Sequence, residues 1–497
     1  KFLGSGESIS RFFKDRFYLL LLGPVNTIKE RLEAIRQQIE AEFVRCISYP
    51  YSLVVSLGLC EYNEDVESGD EWLIRVNYAL ESAELPVGDG FAVYDNAMRK
   101  NLHEIRKIEK RMQFGIENKE FKIYDNVFAG LNGIEGILNK KIINLSDMDN
   151  EKLETFRNSP SSGLGSCRYK LKDYKDDSKE YENLFEILNS LNIKAFFYVG
   201  GNDSMDTISK LSSFAKENNI DITFIGIPKT IDNDLMYTDH TPGFGSASKF
   251  IATSTLETYL DSKVYTENGI FIIETMGRDT GWLAASGALA TVNGQPCADL
   301  VYLPEVAFSV SKFLNDTRKL FEKNNHVYIV ASEGLRDENK NFITSVKAQG
   351  HDNFGHSQLG GVGQYLKELI IQAGITKRVK ALELGVSQRC SMHCASSIDL
   401  DEAVMVGFDA LKYSKDKTSS GFMVAIKRES NNPYKSSSFL VEANKVANNV
   451  KYFPKEWINE EGNNITEEGL NYLRPLIDLD HELNNENNLP IYHSFVI

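Results

Sequence analysis

Apolar residues recur along the chain in two spacings that predict alternating strands and helices. Short continuous apolar runs predict buried strands at residues 194–199, 222–227, 269–273 and 326–330. Between them, apolar residues follow helical spacing, as at Ile208, Leu211 and Phe214, and an alanine-rich run predicts a helix at 282–290. Because strands and helices alternate at this interval, residues 125–497 are predicted to form α/β layers with largely parallel sheets.

The first 124 residues follow a different pattern. Apolar runs at 17–22 and 51–58 predict two strands, and helical spacing at 27–42 and 70–80 predicts two helices. Residues 96–119 are rich in charge, with an apolar residue at every third or fourth position, which is typical of an exposed amphipathic helix. We therefore predict a domain over residues 1–95, a charged helical linker over 96–124 and a second domain over 125–497.

The composition narrows the class of protein. Of 497 residues, 42% are hydrophobic and 25% are charged, as in soluble globular proteins. A net charge of −15 argues against nucleic acid or a membrane surface as partner. The apolar run at 17–22 is too short to span a bilayer, and the six cysteines form no CxxC pair. We expect a cytoplasmic protein that binds neither nucleic acid nor membrane.

The run PKTIDND at residues 228–234 directly follows the strand predicted at 222–227. In open α/β sheets, ligands bind at the carboxyl ends of the strands. There Asp232 can accept a proton from a substrate hydroxyl, and Lys229 can neutralise phosphate oxygens. If the segment is extended, Asp232 and Asp234 project to one face. The pattern indicates phosphoryl transfer, with turn-forming or helix-capping carboxylates as the alternative.

Other short motifs follow the remaining predicted strands, and the SQR segment at 387–389 adds one more candidate phosphate ligand. Gly200 and Gly201 allow backbone N–H groups to approach an anion at a helix N-terminus, although a tight turn explains a glycine pair equally well. Arg278 and Arg389 suit a phosphate, and Glu333 suits sugar hydroxyls. Taken singly, each of these charges is more often a solvated surface charge.

In order and spacing, the motifs GGNDS, PKTIDND, MGR, SEGL and SQR resemble the 6-phosphofructokinases over about 370 residues from near Asn126. The resemblance implies two Rossmann-like lobes, Mg²⁺-dependent phosphorylation of fructose 6-phosphate to fructose 1,6-bisphosphate, and a homo-oligomer (dimer or tetramer) with active sites at subunit contacts. It makes Asp232 the general base beside Lys229 and Thr230, and places Asn202 and Asp234 at the metal. It assigns the sugar phosphate to Met276, Gly277, Arg278, Glu333, Lys380 and Arg389, and the phosphoryl donor to Arg168, Gly200, Gly201, Asp203, Ser204 and Lys229.

The same resemblance bears on the phosphoryl donor. Members with aspartate at the position of Asp203 and lysine at that of Lys229 use pyrophosphate, and the reaction is then expected to be reversible. The physical reason is that the Asp203 carboxylate would repel a nucleotide α-phosphate, while Lys229 suits the compact charge of pyrophosphate. Some ATP-dependent relatives also carry the lysine, so an ATP-dependent enzyme stays an alternative.

Residues 1–124 resemble a partial, degenerate GGDEF domain running into the start of an EAL domain. Phe13 and Lys14 occupy the positions of its signature glycines. In addition, no counterpart of the phosphofructokinases' first glycine-rich loop stands directly before residues 127–138. Two hypotheses therefore remain, an active phosphofructokinase or a non-catalytic, regulatory fusion of the two parts.

Overall fold

The computed structural model describes residues 4, 6–13, 16–46, 55–62, 69–84, 91–94, 124–157, 159–264, 269–344, 361–477, 485–486 and 489–490. The chain divides into two compact units, Lys1–Ile123 and Tyr124–Ile497. Within the described ranges, none of the helices combines the length and the apolar character needed to cross a membrane. The helix predicted at 96–119 lies outside the described residues.

The first unit contains short strands and two longer helices. Its strands are β1 Ser8–Phe13, β2 Arg16–Leu20, β3 Leu57–Leu59 and β4 Phe91–Val93, and its helices are α1 Val25–Cys46 and α2 Gly69–Glu84. Strands β1 and β2 pair antiparallel, and β3 and β4 pair parallel. Helix α1 buries Ile28 and Leu32, one helical turn apart. Both helices predicted in this part are confirmed, and so is the strand predicted at 17–22; the GGDEF resemblance stays a prediction.

The second unit is built from many more elements. Its strands are β5 Phe128–Gly130, β6 Ile142–Asn144, β7 Ala195–Gly200, β8 Thr223–Pro228, β9 Ile270–Thr275, β10 Thr291–Val292, β11 Gln295–Pro296, β12 Leu300–Tyr302, β13 Val327–Ser332, β14 Val379–Glu383, β15 Phe422–Asn431, β16 Tyr434–Glu442, β17 Asn485–Glu486 and β18 Leu489–Pro490. Its α-helices are α3 Gly133–Leu138, α4 Asn150–Arg157, α5 Lys179–Ser190, α6 Asn202–Glu217, α7 Phe244–Ser262, α8 Trp282–Ser286, α9 Val310–Asn324, α10 Val362–Gln372, α11 Ser397–Tyr413, α12 Ala443–Val446 and α13 Glu467–Leu473.

Two four-stranded sheets organise this unit. The first has the order β16-β15-β8-β7, in which β7, β8 and β15 are parallel and β16 is antiparallel. The second has the order β12-β13-β9-β14 and is parallel throughout. The predicted α/β class with largely parallel sheets is therefore confirmed, and the predicted strands agree with β7, β8, β9 and β13 to within two residues.

Burial explains why these strands were recognisable as continuous apolar runs. Every residue of β9 and of β13 is buried, because helices cover both faces of a parallel sheet. In the first sheet, the rings of Phe196 (β7) and Phe224 (β8) pack at a tilt, with centroids 5.4 Å apart, inside the core. The polar motifs begin directly after the carboxyl ends of these strands.

Candidate active site

Strands β7 and β8 end side by side and bring two of the motifs together. Gly200 pairs with Pro228, and the Lys229 N–H donates to the Gly200 carbonyl at 3.0 Å. Gly201 is the N-cap residue of α6, and a Cβ on Gly201 would lie 3.8 Å from Cβ of Thr230. The first N–H groups of a helix have no partner within it, so this edge is suited to bind an anion.

The TIDND residues form a turn rather than an extended segment. The Asp232 N–H donates to Thr230 Oγ1 at 3.2 Å, and Thr230 Oγ1 lies 3.3 Å from Asp232 Oδ2. Asn233 is fully buried and has a φ of 52°, a conformation that asparagine tolerates better than most residues. The expectation that Asp232 and Asp234 share a face through an extended backbone is therefore wrong, because the chain turns between them. They nevertheless interact, since the charge of Asp232 raises the pKa of Asp234.

Charged residues that follow strands of both sheets shift the pKa values of the carboxyl groups in this turn. Burial raises the pKa of Asp232, while its bond with Thr230 and the charges of Lys229 and Arg278 oppose the rise. Burial, and then the charge of Asp232, raise the pKa of Asp234 to about 7. Arg389 lies near enough for its positive charge to act on Lys229. Cations from the first sheet (Lys229) and from the second (Arg278) therefore converge on one carboxylate.

The ends of β9 and β13 meet in a second polar loop. The Gly277 N–H donates to Glu333 Oε1 at 3.3 Å, and Ser332 Oγ donates to the Gly277 carbonyl at 2.6 Å. The Met276 N–H donates to Gln388 Oε1 at 3.1 Å, which ties the 3₁₀ turn Gly385–Arg389 to this loop. Burial raises the pKa of Glu333 to about 7.

Two links join this loop to the TIDND turn. Thr280 Oγ1 donates to the Asp232 carbonyl at 3.1 Å. The Asp232 carboxylate also acts on the pKa of Glu333, so the two groups share one electrostatic environment. The structure therefore brings Met276, Gly277, Arg278, Glu333 and Arg389 to the side of the turn that faces the second sheet.

Lys380 does not join this cluster within one chain. It lies on β14 opposite Phe271, near the start of β9, and its ammonium is 3.7 Å from the exposed Asp261 carboxylate. Met276 follows Phe271 by five positions, along β9 and just past its end, which corresponds to roughly 16 Å of extended chain. A sugar phosphate held at the MGR loop is consequently out of reach of Lys380 of the same chain.

The predicted donor residues surround the first turn of α6. Arg168 is exposed and lies in a loop. A hydrogen bond from the Asn132 N–H to the Leu164 carbonyl, 2.8 Å long, anchors this loop. The exposed Asp203 carboxylate lies 4.0 Å from the ammonium of Lys170, which the sequence analysis did not include. Lys170 had no motif to mark it; its relevance is visible only from its contact with Asp203.

Asn202 has a different environment from that expected of a metal ligand. Its side-chain N–H donates to the Asn449 carbonyl, and its side-chain oxygen accepts from the Asn448 N–H. Both ends of the amide thus hold the loop after α12 against the start of α6. Asn202 therefore has a structural role in this part of the site.

The carboxylates of the turn suit Mg²⁺. Among the described residues, no group of three or more His, Cys, Asp and Glu side chains could hold a metal ion unaided. Mg²⁺ is, however, commonly held by one or two carboxylates together with substrate phosphates, and Asp234 supplies a carboxylate of this kind next to Asp232. The residues present therefore fit a Mg²⁺ ion that arrives with the phosphoryl donor.

Lys451 was missed by the sequence reasoning although it touches the turn. Its ammonium donates to Asn233 Oδ1 at 3.1 Å and to the carbonyl groups of Thr238 and Asp239 at 3.1 and 2.7 Å. Burial lowers the pKa of Lys451 to about 7, although the nearby Asp239 and Asp234 carboxylates oppose the change. It follows Asn233 by 218 positions and belongs to no motif, so no sequence signal marked it.

Carboxylates, cations and a helix N-terminus at the carboxyl ends of parallel strands define an α/β phosphotransferase. The family described as Phosphofructokinase matches residues 115–413. The chain is 40% identical over 366 residues to a pyrophosphate–fructose 6-phosphate 1-phosphotransferase of Halomonas elongata, covering 73% of this chain and 86% of that protein. A protein of the same name from Xanthomonas campestris pv. campestris is 38% identical, with 71% and 84% covered.

A solved structure agrees with these comparisons. The pyrophosphate-dependent phosphofructokinase from Marinobacter aquaeolei superimposes with a TM-score of 0.65 at 35% identity, covering 74% of this chain and 87% of that one. The chain therefore belongs to the phosphofructokinase family.

Proposed function

We propose that this chain transfers a phosphoryl group from pyrophosphate to the C1 hydroxyl of fructose 6-phosphate, forming fructose 1,6-bisphosphate and phosphate with Mg²⁺. The observation that carries the proposal is the convergence of Asp232, Thr230 and Lys229 from one sheet with Arg278 and Glu333 from the other. The similar proteins of Halomonas and Xanthomonas are named for this reaction, which supports the choice of both substrates.

Each residue of the cluster has a part in this reaction. Asp232 takes the proton of the C1 hydroxyl as its oxygen attacks the terminal phosphorus and phosphate leaves. Its raised pKa makes the carboxylate a stronger base than a solvated aspartate. Lys229 and Arg168 stabilise the charge of the phosphoryl oxygens, and Asp234 holds Mg²⁺, which neutralises the charge of the donor when bound.

The sugar phosphate occupies the loop at the ends of β9 and β13. Arg278 and Arg389 bind its phosphate, and Glu333 accepts hydrogen bonds from sugar hydroxyls, oriented by the Gly277 N–H. Lys380 lies too far away within one chain, so its proposed role requires a second copy, in a homo-oligomer with the site at the subunit contact. The phosphoryl donor is thus bound at the loops of the first sheet, and the sugar phosphate at the loops of the second sheet.

Asp203 supports pyrophosphate over ATP as the donor. Its exposed carboxylate stands in the first turn of α6, beside the edge where the donor phosphates would lie. A nucleotide α-phosphate at that point would meet a negative charge, whereas pyrophosphate ends before it. The reaction is then freely reversible, and we place it in glycolysis in the cytoplasm.

A non-catalytic protein is the second candidate, and one observation favours it. No glycine-rich loop directly precedes residues 127–138, although the family uses such a loop to hold the transferred phosphoryl group. The Asp232 turn and its two converging cations oppose this candidate, because a buried carboxylate whose pKa is shifted by specific charged neighbours is typical of catalytic sites.

An assay coupled to aldolase, run with pyrophosphate and separately with ATP, tests the proposal. We expect turnover with pyrophosphate, and a loss of about 10²–10⁴-fold in kcat for Asp232→Asn, since a neutral amide takes no proton. The exposed Asp401→Asn on α11 is the matched control and should keep full activity. Turnover with neither donor would establish the non-catalytic candidate, and turnover with ATP alone would refute the donor assignment.

A further inference from the structure

Lys451 contacts the turn of the proposed catalytic carboxylates through both its side chain and its backbone. We call residues 233–239, which leave this turn, the exit segment. The three ammonium bonds of Lys451 go to Asn233 at its start and to Thr238 and Asp239 at its end. The Lys451 N–H also donates to the Asp234 carbonyl at 2.8 Å. A single residue thus closes the exit segment into a loop.

The bonding capacity of the ammonium is fully used. An ammonium has three N–H donors, and here each has one oxygen acceptor within 3.1 Å. All three acceptors are neutral, so the interaction is not an ion pair between Lys451 and a carboxylate. Instead, three oxygens from three different residues of the exit segment surround one compact ammonium group.

Lys451 is itself held from the other side by Trp282. The Trp282 Nε1–H donates to the Lys451 carbonyl at 3.0 Å, and the ammonium lies 5.0 Å from the centroid of the indole ring. Trp282 is 2% exposed and packs against Phe453 with ring centroids 4.9 Å apart. Because Trp282 is fixed in an aromatic core, its contacts hold Lys451 in place, and Lys451 in turn holds the turn.

We propose that Lys451 is the positioning residue of the catalytic turn, fixing the exit segment so that Asp232 and Asp234 keep the geometry that phosphoryl transfer needs. This inference rests on the proposed function for its catalytic consequence. A displacement of about 1 Å in a catalytic group is enough to cost on the order of 10²-fold in rate. A lysine that only stabilised the fold would not act selectively on the turn.

Lys451→Met, which keeps the length of the side chain and removes its donors, is the main test. Hydrogen–deuterium exchange is measured by mass spectrometry, together with kcat and the KM of both substrates. We expect at least tenfold faster exchange in peptides covering 230–240, unchanged exchange in β9 and β13, and a kcat at least tenfold lower. The KM for fructose 6-phosphate should stay within threefold, because the MGR loop is on the other sheet.

Two further variants complete the design. Lys412→Met on α11 removes an exposed lysine whose ammonium bonds Asp409, and should change neither exchange at 230–240 nor kcat. Lys451→Arg keeps the charge, but its planar guanidinium does not fit acceptors arranged around one point, so it should repeat the loss of kcat. Should Lys451→Met fail to fold, Lys451→Arg decides the question by the same readouts.

Unchanged exchange at 230–240, or a kcat within twofold of the parent in a folded Lys451 variant, would overturn the inference. Faster exchange spread evenly over the whole second unit would overturn it as well, since it would reveal only lost stability. The exchange measurement needs no turnover, so a parent protein inactive with pyrophosphate refutes the proposed function while the positioning of the turn is still decided.

Discussion

Replacing Gly277 by alanine is expected to weaken binding of the sugar phosphate and leave binding of the donor unchanged. Gly277 has a φ of 130°, a conformation that is almost confined to glycine. An alanine Cβ would lie 2.6 Å from the Thr280 carbonyl oxygen and 3.1 Å from Ser332 Oγ. The first of these contacts is with backbone, so the loop itself has to move.

The size of the effect follows from these two contributions. A residue forced into such a backbone conformation costs about 1–3 kcal/mol. A shift of the loop also weakens the bond from the Gly277 N–H to Glu333, and a hydrogen bond to a charged group contributes about 1.5–3 kcal/mol. If about 2 kcal/mol of the total appears in binding, the KM for fructose 6-phosphate rises about 30-fold.

Steady-state kinetics with each substrate varied in turn measures the effect. The KM for fructose 6-phosphate should rise at least tenfold, while that for pyrophosphate stays within threefold, because the donor loops belong to the other sheet. Gly294→Ala is the control: Gly294 has a φ of 74°, but a Cβ there meets nothing within 4 Å. It should leave both KM values unchanged. Equal rises in both KM values for Gly277→Ala, or none, would refute the assignment of the two loops.

Two further predictions concern the donor and the stability. Asp203→Gly should raise turnover with ATP at least tenfold, because it removes a charge facing the α-phosphate; no gain with ATP in the coupled assay would contradict this. Burial lowers the pKa of His326 to about 4, and its imidazole Nε2 lies 2.8 Å from the Ser262 hydroxyl. Since the pKa is lower in the folded state than in the unfolded state, where it is about 6.5, His326 destabilises the fold as the pH drops below 6.5. Between pH 7.5 and 5 the free energy of unfolding should fall by about 2 kcal/mol from this group, and urea titrations of His326→Gln should lack that decrease.

The α/β class and the place of the motifs follow from local patterns in the sequence. Runs such as residues 222–227 are mostly apolar because parallel strands are covered on both faces, so β8 and β9 could be recognised without a structure. Motifs that directly follow such strands must meet at one edge of a sheet, and this is why the GGNDS and PKTIDND runs could be placed together. These inferences need only short-range pattern and the geometry of a parallel sheet.

The side chains that complete the site come together only in the folded chain. The side-chain amide of Asn202 forms hydrogen bonds with residues 448 and 449, and Lys451 bonds Asn233, which lies 218 positions away in the chain. Lys380, which the motif order had assigned to the sugar phosphate, lies at the opposite end of β9. Contacts between residues so distant in the chain depend on how helices, sheets and loops pack, and no local spacing encodes them. The carboxylates could be read from the chain, whereas the groups that hold them in place required the fold.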